Sequence, residues 1–96
     1  MFEWDEAKNA ANVRKHGIGF AKAAEIFEGF VLTELDDRFD YDEPREFSLG
    51  LLRGVVVLAV VHTDRNGVTR IISARQATVA EARRYHEAAL HARTHS

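Results

Sequence analysis

The stretch that decides the fold is VVVLAVVHTDRNGVTRIISAR, residues 55–75. Its first seven residues are all apolar, which predicts a central strand covered on both faces. Asn66 and Gly67 then favour the type I′ turn of a tight hairpin. Side chains alternate along residues 70–75, so one arginine, Arg70 or Arg75, is expected on each face of the second strand. The stretch therefore predicts an antiparallel hairpin within a sheet.

Upstream of this hairpin, the sequence predicts two helices. Residues 2–4 alternate apolar and polar side chains and fit a very short strand. Asp5 suits the N-cap of a helix over residues 6–16, and Gly17 suits its end. A second helix is expected from Phe20 because residues 20, 23, 24 and 27 are apolar at helical spacing.

The remaining segments complete an α+β pattern. Strands are expected at residues 30–35 and 45–52, separated by an acidic turn or loop. Thr78 and Glu81 form a capping box that opens a last helix. Two N-terminal helices, an antiparallel sheet of three to four strands and a C-terminal helix make an α+β fold. We expect residues 1–90 to form one domain and residues 91–96 a disordered tail.

Composition indicates a soluble, cytoplasmic protein. The chain has 96 residues, of which 46% are hydrophobic and 29% charged, as in one small globular domain. The absence of cysteine excludes disulfides and thiolate sites and suits a reducing compartment. No apolar run approaches the ~20 residues of a membrane span. The N-terminus also lacks the pattern of a signal peptide, so no membrane partner is expected.

Charge is unevenly distributed along the chain. The formal net charge is −2, which argues mildly against a general nucleic-acid coat. Residues 34–46 hold seven acidic side chains against two arginines, whereas residues 65–93 hold six arginines against two glutamates. A nearly neutral average is therefore compatible with a basic groove.

Five side chains are candidates for catalysis. His62 ends the apolar strand, where it can meet solvent and exchange protons, or it can simply bond a backbone carbonyl. Lys15 and His16 lie in the last turn of the first helix, where the helix dipole alone would also favour cations. Tyr85 lies on an alanine-rich stripe that is typical of core packing, with its hydroxyl at the rim. Arg75 can stabilise a developing negative charge.

Four further arginines are candidate phosphate ligands, because a guanidinium fork matches phosphate and carboxylate groups equally well. For Arg70, as for Arg75, a structural ion pair is the alternative. Arg45 can instead balance neighbouring acids, and Arg83 and Arg84 can belong to a solvated helix face. Spacing alone leaves these alternatives open.

No metal or cofactor is expected. His91 and His95 are four residues apart, as in some zinc sites, but no acidic partner completes the set with His86. The acidic loop could hold Mg²⁺ through its carboxylates, although a solvated loop explains it as well. Phe39 and Tyr41 in that loop are candidates for stacking on unpaired bases.

Taken together, these features resemble the BrnT family, the toxin half of a bacterial toxin–antitoxin pair. The likeness covers nearly the whole chain, in order and at family-like spacing. The matching residues are Phe2-Glu-Trp-Asp5, Lys8, Asn12, Lys15-His16-Gly17, Phe20, Ala23, Phe27, Arg45, Gly50, the apolar strand to His62-Thr63, Arg70-Ile-Ile-Ser-Ala-Arg75, Ala77, Glu81 and Tyr85.

The resemblance implies a RelE-like fold and a ribonuclease that blocks translation. It also implies an antitoxin of the BrnA type with a ribbon-helix-helix part, so that DNA would be contacted only through the antitoxin. A ribonuclease without metal can use the 2′-hydroxyl of RNA as nucleophile and leave a cyclic phosphate. On that hypothesis Arg75 stabilises the transition state and His62 carries a proton.

Two other classes compete with the ribonuclease. In the first, the chain is a non-catalytic module whose arginines hold an acidic segment of a protein partner. In the second, it is an operator-binding subunit, which is disfavoured because the sequence has no ribbon-helix-helix or helix-turn-helix pattern.

Overall fold

A computed structural model describes residues 1–36 and 43–95 of the chain. In chain order its elements are β1 (Phe2–Trp4), α1 (Glu6–His16), α2 (Phe20–Ala23) continued by a 3₁₀ segment (Ala24–Glu28), β2 (Val31–Asp36), β3 (Arg45–Leu52), β4 (Val56–Arg65), β5 (Val68–Gln76) and α3 (Val79–His95). The predicted α+β class is confirmed. Phe39, Tyr41 and most of the acidic loop lie outside the described residues.

The described strands form one mixed sheet of five strands in the order β1-β5-β4-β3-β2. Neighbouring strands from β2 to β5 are antiparallel, whereas β1 pairs in parallel with β5. The predicted antiparallel sheet of three to four strands is therefore wrong in strand number and in the direction of β1. Alternation along residues 2–4 indicates a strand, but it carries no information about which strand it joins or in which direction.

The predicted turn at Asn66-Gly67 forms, and a second hairpin turn joins β3 to β4. Asn66 and Gly67 have φ angles of 53° and 80°, and Arg53 and Gly54 have φ angles of 53° and 73°. Two successive positive φ angles define the type I′ turn, whose twist matches that of the strands it joins. Local sequence therefore fixes both connections of the β3–β4–β5 meander.

The first helix is fixed at its ends and at its centre. The Asp5 side chain accepts a hydrogen bond from the amide of Lys8, and Gly17 ends α1 at φ 72°. Asn12 lies on the buried side of α1 and is 7% exposed. Its Nδ2 donates to the carbonyls of Ile18 and Ala74, each at 2.8 Å. In return the amide of Ala74 donates to Asn12 Oδ1 at 3.1 Å. Asn12 thereby anchors α1 to β5.

The predicted second helix is α-helical for four residues only and continues as a 3₁₀ helix. With three residues per turn, Ile26 lies below Ala23 and is buried with it. A Cβ at Gly50 would lie 2.7 Å from Ile26 Cβ, so a glycine in β3 allows this close approach. The apolar stripe thus predicted the burial of Phe20 and Ala23, but Ile26 is buried where Ala24 and Phe27 were expected, because the helix type changes.

The sheet has a core on each face. On one face, the α1 face, the buried core residues are Phe20, Ala23, Ile26, Leu52, Leu58, Val60, Ile71 and Ala74. On the other, the α3 face, they are Phe47, Leu49, Val57, Ala59 and Tyr85. Buried residues of β4 occur in both sets, so the prediction of a central strand covered on both sides is confirmed.

The last helix packs against β2 and β3 on the α3 face. It continues to His95, five residues past the predicted domain end at residue 90. Thr94 Oγ1 donates to the carbonyl of Leu90 at 2.7 Å, within the helical repeat. Residues 91–95 are thus part of α3, and the domain limits with the disordered tail stay a prediction. None of the described helices has the length and hydropathy that a bilayer crossing requires.

Candidate functional site

A β-bulge interrupts the central hairpin within the arginine strand. Val61 pairs with Ser73, but the next residue of β4, His62, pairs with Ile71. Ile72 is thus the extra residue of the bulge. One inserted residue shifts the alternation of side chains by one position, so the two ends of β5 no longer follow a single alternating pattern.

The bulge places both arginines of β5 on the α3 face. Arg70 pairs with Thr63, and Arg75 pairs with Ala59. Because Ala59 and Thr63 are four residues apart on β4, their side chains and those of their partners lie on the same face. The predicted placement of Arg70 and Arg75 on opposite faces is therefore wrong, because an uninterrupted strand was assumed.

Arg45 shares this face. It is the first residue of β3 and lies two positions before Phe47, which belongs to the α3-face core. Alternation along β3 therefore directs Arg45 to the α3 face together with Phe47. We call the surface that carries Arg45, Arg70 and Arg75 the arginine face.

Arg75 is held by Glu81 at the start of α3. Its Nη1 donates to Glu81 Oε1 at 2.7 Å and its Nη2 to Oε2 at 3.0 Å. Nη1 also lies 3.3 Å from the carbonyl of Gln76. The guanidinium carbon lies 5.9 Å from the centre of the Phe47 ring. The Arg75 side chain remains 34% exposed and that of Glu81 20%. The structural ion pair considered for Arg75 is thus present, at the edge of an open pocket.

The position of Glu81 is fixed by the predicted capping box. The amide of Thr78 donates to Glu81 Oε1 at 2.9 Å, and the amide of Glu81 donates to Thr78 Oγ1 at 3.1 Å. The hydrogen bonds from Arg75 lower the pKa of Glu81 to about 2, against the opposing effect of burial and with help from Thr78. The sequence indicated a helix cap at Glu81 but nothing of its contact with Arg75.

A pocket of about 330 Å³ opens beside this ion pair, between β2 and α3. Its lining residues are Glu34, Leu35, Asp36, Phe47, Ala80, Glu81 and Arg84. Arg84 NH2 donates to Glu34 Oε1 at 2.9 Å across the pocket. At the other end of β5, Arg70 NH1 lies 3.5 Å from Glu3 Oε2. The arginine face is therefore rich in charge but balanced by carboxylates of the same chain.

His62 lies on the opposite side of the sheet. It is 2% exposed, and its Nε2 lies 2.7 Å from Ser48 Oγ, which is in turn 2.7 Å from Thr33 Oγ1. The ring of Phe27 packs edge-on against the imidazole, with the ring centres 5.1 Å apart. The prediction that His62 meets solvent at the end of a strand is wrong, because β4 continues to Arg65 and the 3₁₀ segment covers the ring.

Lys15 and His16 occupy the last turn of α1, as predicted, and both are exposed. Through Asn12, α1 is bonded to the main chain of β5 at Ala74, whereas His62 is separated from Arg75 by the sheet. Tyr85 is on the α3 face but is 5% exposed, and its hydroxyl donates to the carbonyl of Phe30 at 3.0 Å. Core packing, the structural alternative, describes its position.

The remaining predicted residues lie on α3. Arg83 is exposed, one position before Arg84. His91 and His95 stack with their ring centres 4.0 Å apart. Within residues 1–36 and 43–95, no group of three or more histidine, aspartate or glutamate side chains is arranged to hold a metal ion.

Fold and site together define a small α+β protein with a face of paired arginines and carboxylates beside its C-terminal helix. The family model of the ribonuclease toxin, BrnT, of type II toxin–antitoxin systems matches residues 4–81, and the chain belongs to this family. The predicted family is thus confirmed, and with it a ribonuclease toxin that has an antitoxin partner. The match includes Arg45, Arg70, Arg75 and Glu81.

A solved structure supports the same assignment. The chain is similar to the Brucella abortus ribonuclease toxin BrnT, with 28% sequence identity and a TM-score of 0.62. The alignment covers 81% of this chain and 97% of the Brucella chain. No match to a curated protein was found.

Proposed function

We propose that this chain is a metal-independent endoribonuclease in which the 2′-hydroxyl of RNA attacks the adjacent phosphate and leaves a cyclic phosphate. One observation carries the proposal: the bulge at Ile72 brings Arg70 and Arg75 to the same face, on which Glu81, the partner of Arg75, lines a pocket. A surface that places several guanidiniums on one side of a rigid sheet is suited to a chain of phosphates.

The proposed catalytic role of Arg75 is to stabilise the negative charge of the phosphorane transition state. Its guanidinium is held in place, and about a third of the side chain remains exposed to a ligand. Removal of one positioned donor of this kind typically costs ~10²–10³-fold in rate. Arg75 therefore accounts for a large share of the catalysis that this site can provide.

The other arginines are proposed to bind flanking phosphates. Arg70 and Arg75 pair with positions of β4 that are four residues apart, which is ~13 Å along the strand. That distance places the two guanidiniums at different phosphates of one RNA strand. Arg45 on the same face, with Arg83 and Arg84 at the start of α3, would extend this contact.

The candidate acid–base groups do not converge at Arg75. Of the proposed proton carriers, His62 lies on the α1 face, Lys15 and His16 are exposed in the last turn of α1, and Tyr85 is bonded to the carbonyl of Phe30. Acid–base groups each contribute typically ~10²–10⁴-fold. An enzyme that relies mainly on Arg75, without a strong contribution from acid–base groups, would accordingly cleave RNA slowly.

The proposed partner is an antitoxin of the BrnA type, which would cover the arginine face and prevent access of RNA. Its ribbon-helix-helix part would contact DNA, so that this chain reaches DNA only indirectly. Membership of a type II toxin–antitoxin family supports an antitoxin, and cytoplasmic RNA is the substrate that such a pair would control.

A second candidate is a non-catalytic module that holds an acidic segment of its partner. The observation that favours it is that Arg70, Arg75 and Arg84 already contact carboxylates of this chain. Such a face accepts carboxylates as readily as phosphates.

Cleavage of RNA by the partner-free protein in EDTA distinguishes the two. We expect wild type to cleave and Arg75→Ala to cleave ~10²–10³-fold more slowly. Arg53→Ala is the matched control, because Arg53 makes the same two-point contact with Glu25, at 2.8 and 2.9 Å, in the β3–β4 turn. Circular dichroism verifies that each variant is folded.

Two outcomes contradict the proposal. If folded Arg75→Ala cleaves at the wild-type rate, Arg75 is not the stabilising group. If wild type binds its antitoxin tightly but never cleaves RNA, the binding module is correct.

A further inference from the structure

The contact between Arg75 and Glu81 restricts the guanidinium more than a single hydrogen bond would. Two parallel N–H···O bonds, at 2.7 and 3.0 Å, fix both the plane and the rotation of the group. The Phe47 ring limits it on one side, with 5.9 Å between ring centre and guanidinium carbon. A long flexible side chain on β5 is thus held in one orientation against Glu81, which lines the pocket.

The carboxylate that holds Arg75 is itself anchored. Glu81 accepts from the amide of Thr78 at 2.9 Å, and its own amide donates to the Thr78 hydroxyl at 3.1 Å. A backbone turn and the first turn of α3 therefore define where the carboxylate lies. The orientation of the guanidinium follows from the main chain through Glu81.

We propose that Glu81 is a positioning residue, which holds the Arg75 guanidinium in the orientation that contacts the scissile phosphate. This inference rests on the proposed ribonuclease function and adds to it a residue that acts through Arg75. Preorganisation of this kind accelerates a reaction because the charge-stabilising group does not have to be ordered when the transition state forms.

A role as general base fits Glu81 less well. Oε1 accepts from both Arg75 and Thr78, and Oε2 accepts from Arg75. A carboxyl group with a pKa of about 2 is also a weak proton acceptor at neutral pH. The ion pair of Arg53 and Glu25 has the same two-point contact, but Glu25, unlike Glu81, does not line the described pocket.

Glu81→Gln separates the cap from the ion pair. Glutamine serves in a capping box as glutamate does, so the start of α3 is retained. The amide lacks the negative charge and replaces one of the two acceptors for Arg75 by an NH₂ group. We expect kcat for RNA cleavage to fall about 10- to 100-fold with a much smaller change in KM, because orientation is lost and phosphate binding elsewhere is kept. Glu25→Gln, the matched control, should leave both constants unchanged.

Rescue by added guanidinium tests whether Glu81 acts through Arg75. In Arg75→Ala, guanidinium chloride at fixed ionic strength should restore part of the cleavage, since Glu81 can bind the added ion. In the double variant Arg75→Ala/Glu81→Gln, the same concentration should restore about tenfold less. A role in folding alone would not change the extent of rescue.

The outcomes separate the two proposals. A wild-type kcat in folded Glu81→Gln overturns the positioning role and leaves the ribonuclease intact. Equal rescue of the single and double variants also overturns it, because Glu81 would then act independently of the guanidinium. Absence of cleavage by wild type overturns the ribonuclease and the positioning role together.

Discussion

His62 and Ser48 on the α1 face are enclosed, whereas Arg75 and Glu81 on the α3 face are partly exposed. His62 and Ser48 are 2% and 0% exposed and bond to each other. Arg75 and Glu81 bond to each other too, but their side chains are 34% and 20% exposed. Buried polar groups that are hydrogen-bonded to each other stabilise the fold and are not accessible to a ligand. Groups at the mouth of a pocket can still contact a ligand.

The two faces also differ in the pKa of a glutamate on each. Burial, a hydrogen bond with Asp64 and the charge of Asp64 raise the pKa of Glu46 on the α1 face. Hydrogen bonds from Arg75 lower the pKa of Glu81 on the α3 face to about 2. A neighbouring acid makes a partly buried carboxylate costly, and a guanidinium makes it favourable.

The largest expected effect on stability is that of His62→Ala. Truncation removes the buried hydrogen bond between Ser48 and the imidazole, so that only Thr33 remains bonded to Ser48, and it opens a cavity beside Phe27. The free energy of unfolding should therefore fall by about 2–4 kcal/mol. Urea denaturation measures this loss. Cleavage by the folded fraction should stay close to that of wild type. A stable variant that has lost cleavage would restore the catalytic role predicted for His62 from the sequence.

A smaller effect is expected from the acid titration of Glu81. Its pKa is about 2 in the folded protein against 4.5 ordinarily. Its contribution is therefore complete above pH 4.5 and is lost as the pH falls towards 2. Allowing for solvent screening, we expect about 1–2 kcal/mol. Unfolding free energies of wild type and Glu81→Gln should converge between pH 4.5 and 2, and parallel curves would contradict the ion pair.

The smallest effect is expected for Glu46→Gln. A raised pKa means that the folded state binds this proton more tightly than the unfolded state, so stability is lost as the pH rises above 4.5. Removing the charge at neutral pH should stabilise the protein, by less than about 1 kcal/mol at this partly exposed position. Thermal unfolding at pH 5 and pH 7 checks the sign, which is opposite to that of Glu81. A destabilised Glu46→Gln variant at pH 7 would remove the contrast between the two faces.

Several features of this fold were available from short stretches of sequence. The ends of α1 follow from Asp5 and Gly17, and the hairpin follows from Asn66-Gly67, as the structure confirms. These predictions succeed because a cap or a tight turn is decided by residues within a few positions of each other. The apolar run of β4 likewise reports burial on both faces.

The arrangement of the candidate site could not be predicted from local sequence patterns. The arginines were identified as candidates, but their common face depends on the bulge at Ile72, which arises from the pairing of β5 with β4. The sequence did not identify Glu81 as the partner of Arg75, because its place in the capping box already explained a glutamate at that position. His62 was placed in solvent because the packing of Phe27 over it comes from a segment 35 residues earlier in the sequence.

The sequence by itself determined the α+β class, the positions of the helix ends and turns, and the family to which the chain belongs. Tertiary structure alone decided that β1 runs parallel to β5, that Arg70 and Arg75 share a face, and that His62 is enclosed. The physical reason is the separation in sequence of the residues that interact. Caps, turns and apolar periodicity depend on neighbouring residues, whereas strand register, burial and ion pairs depend on residues that only the folded chain brings together.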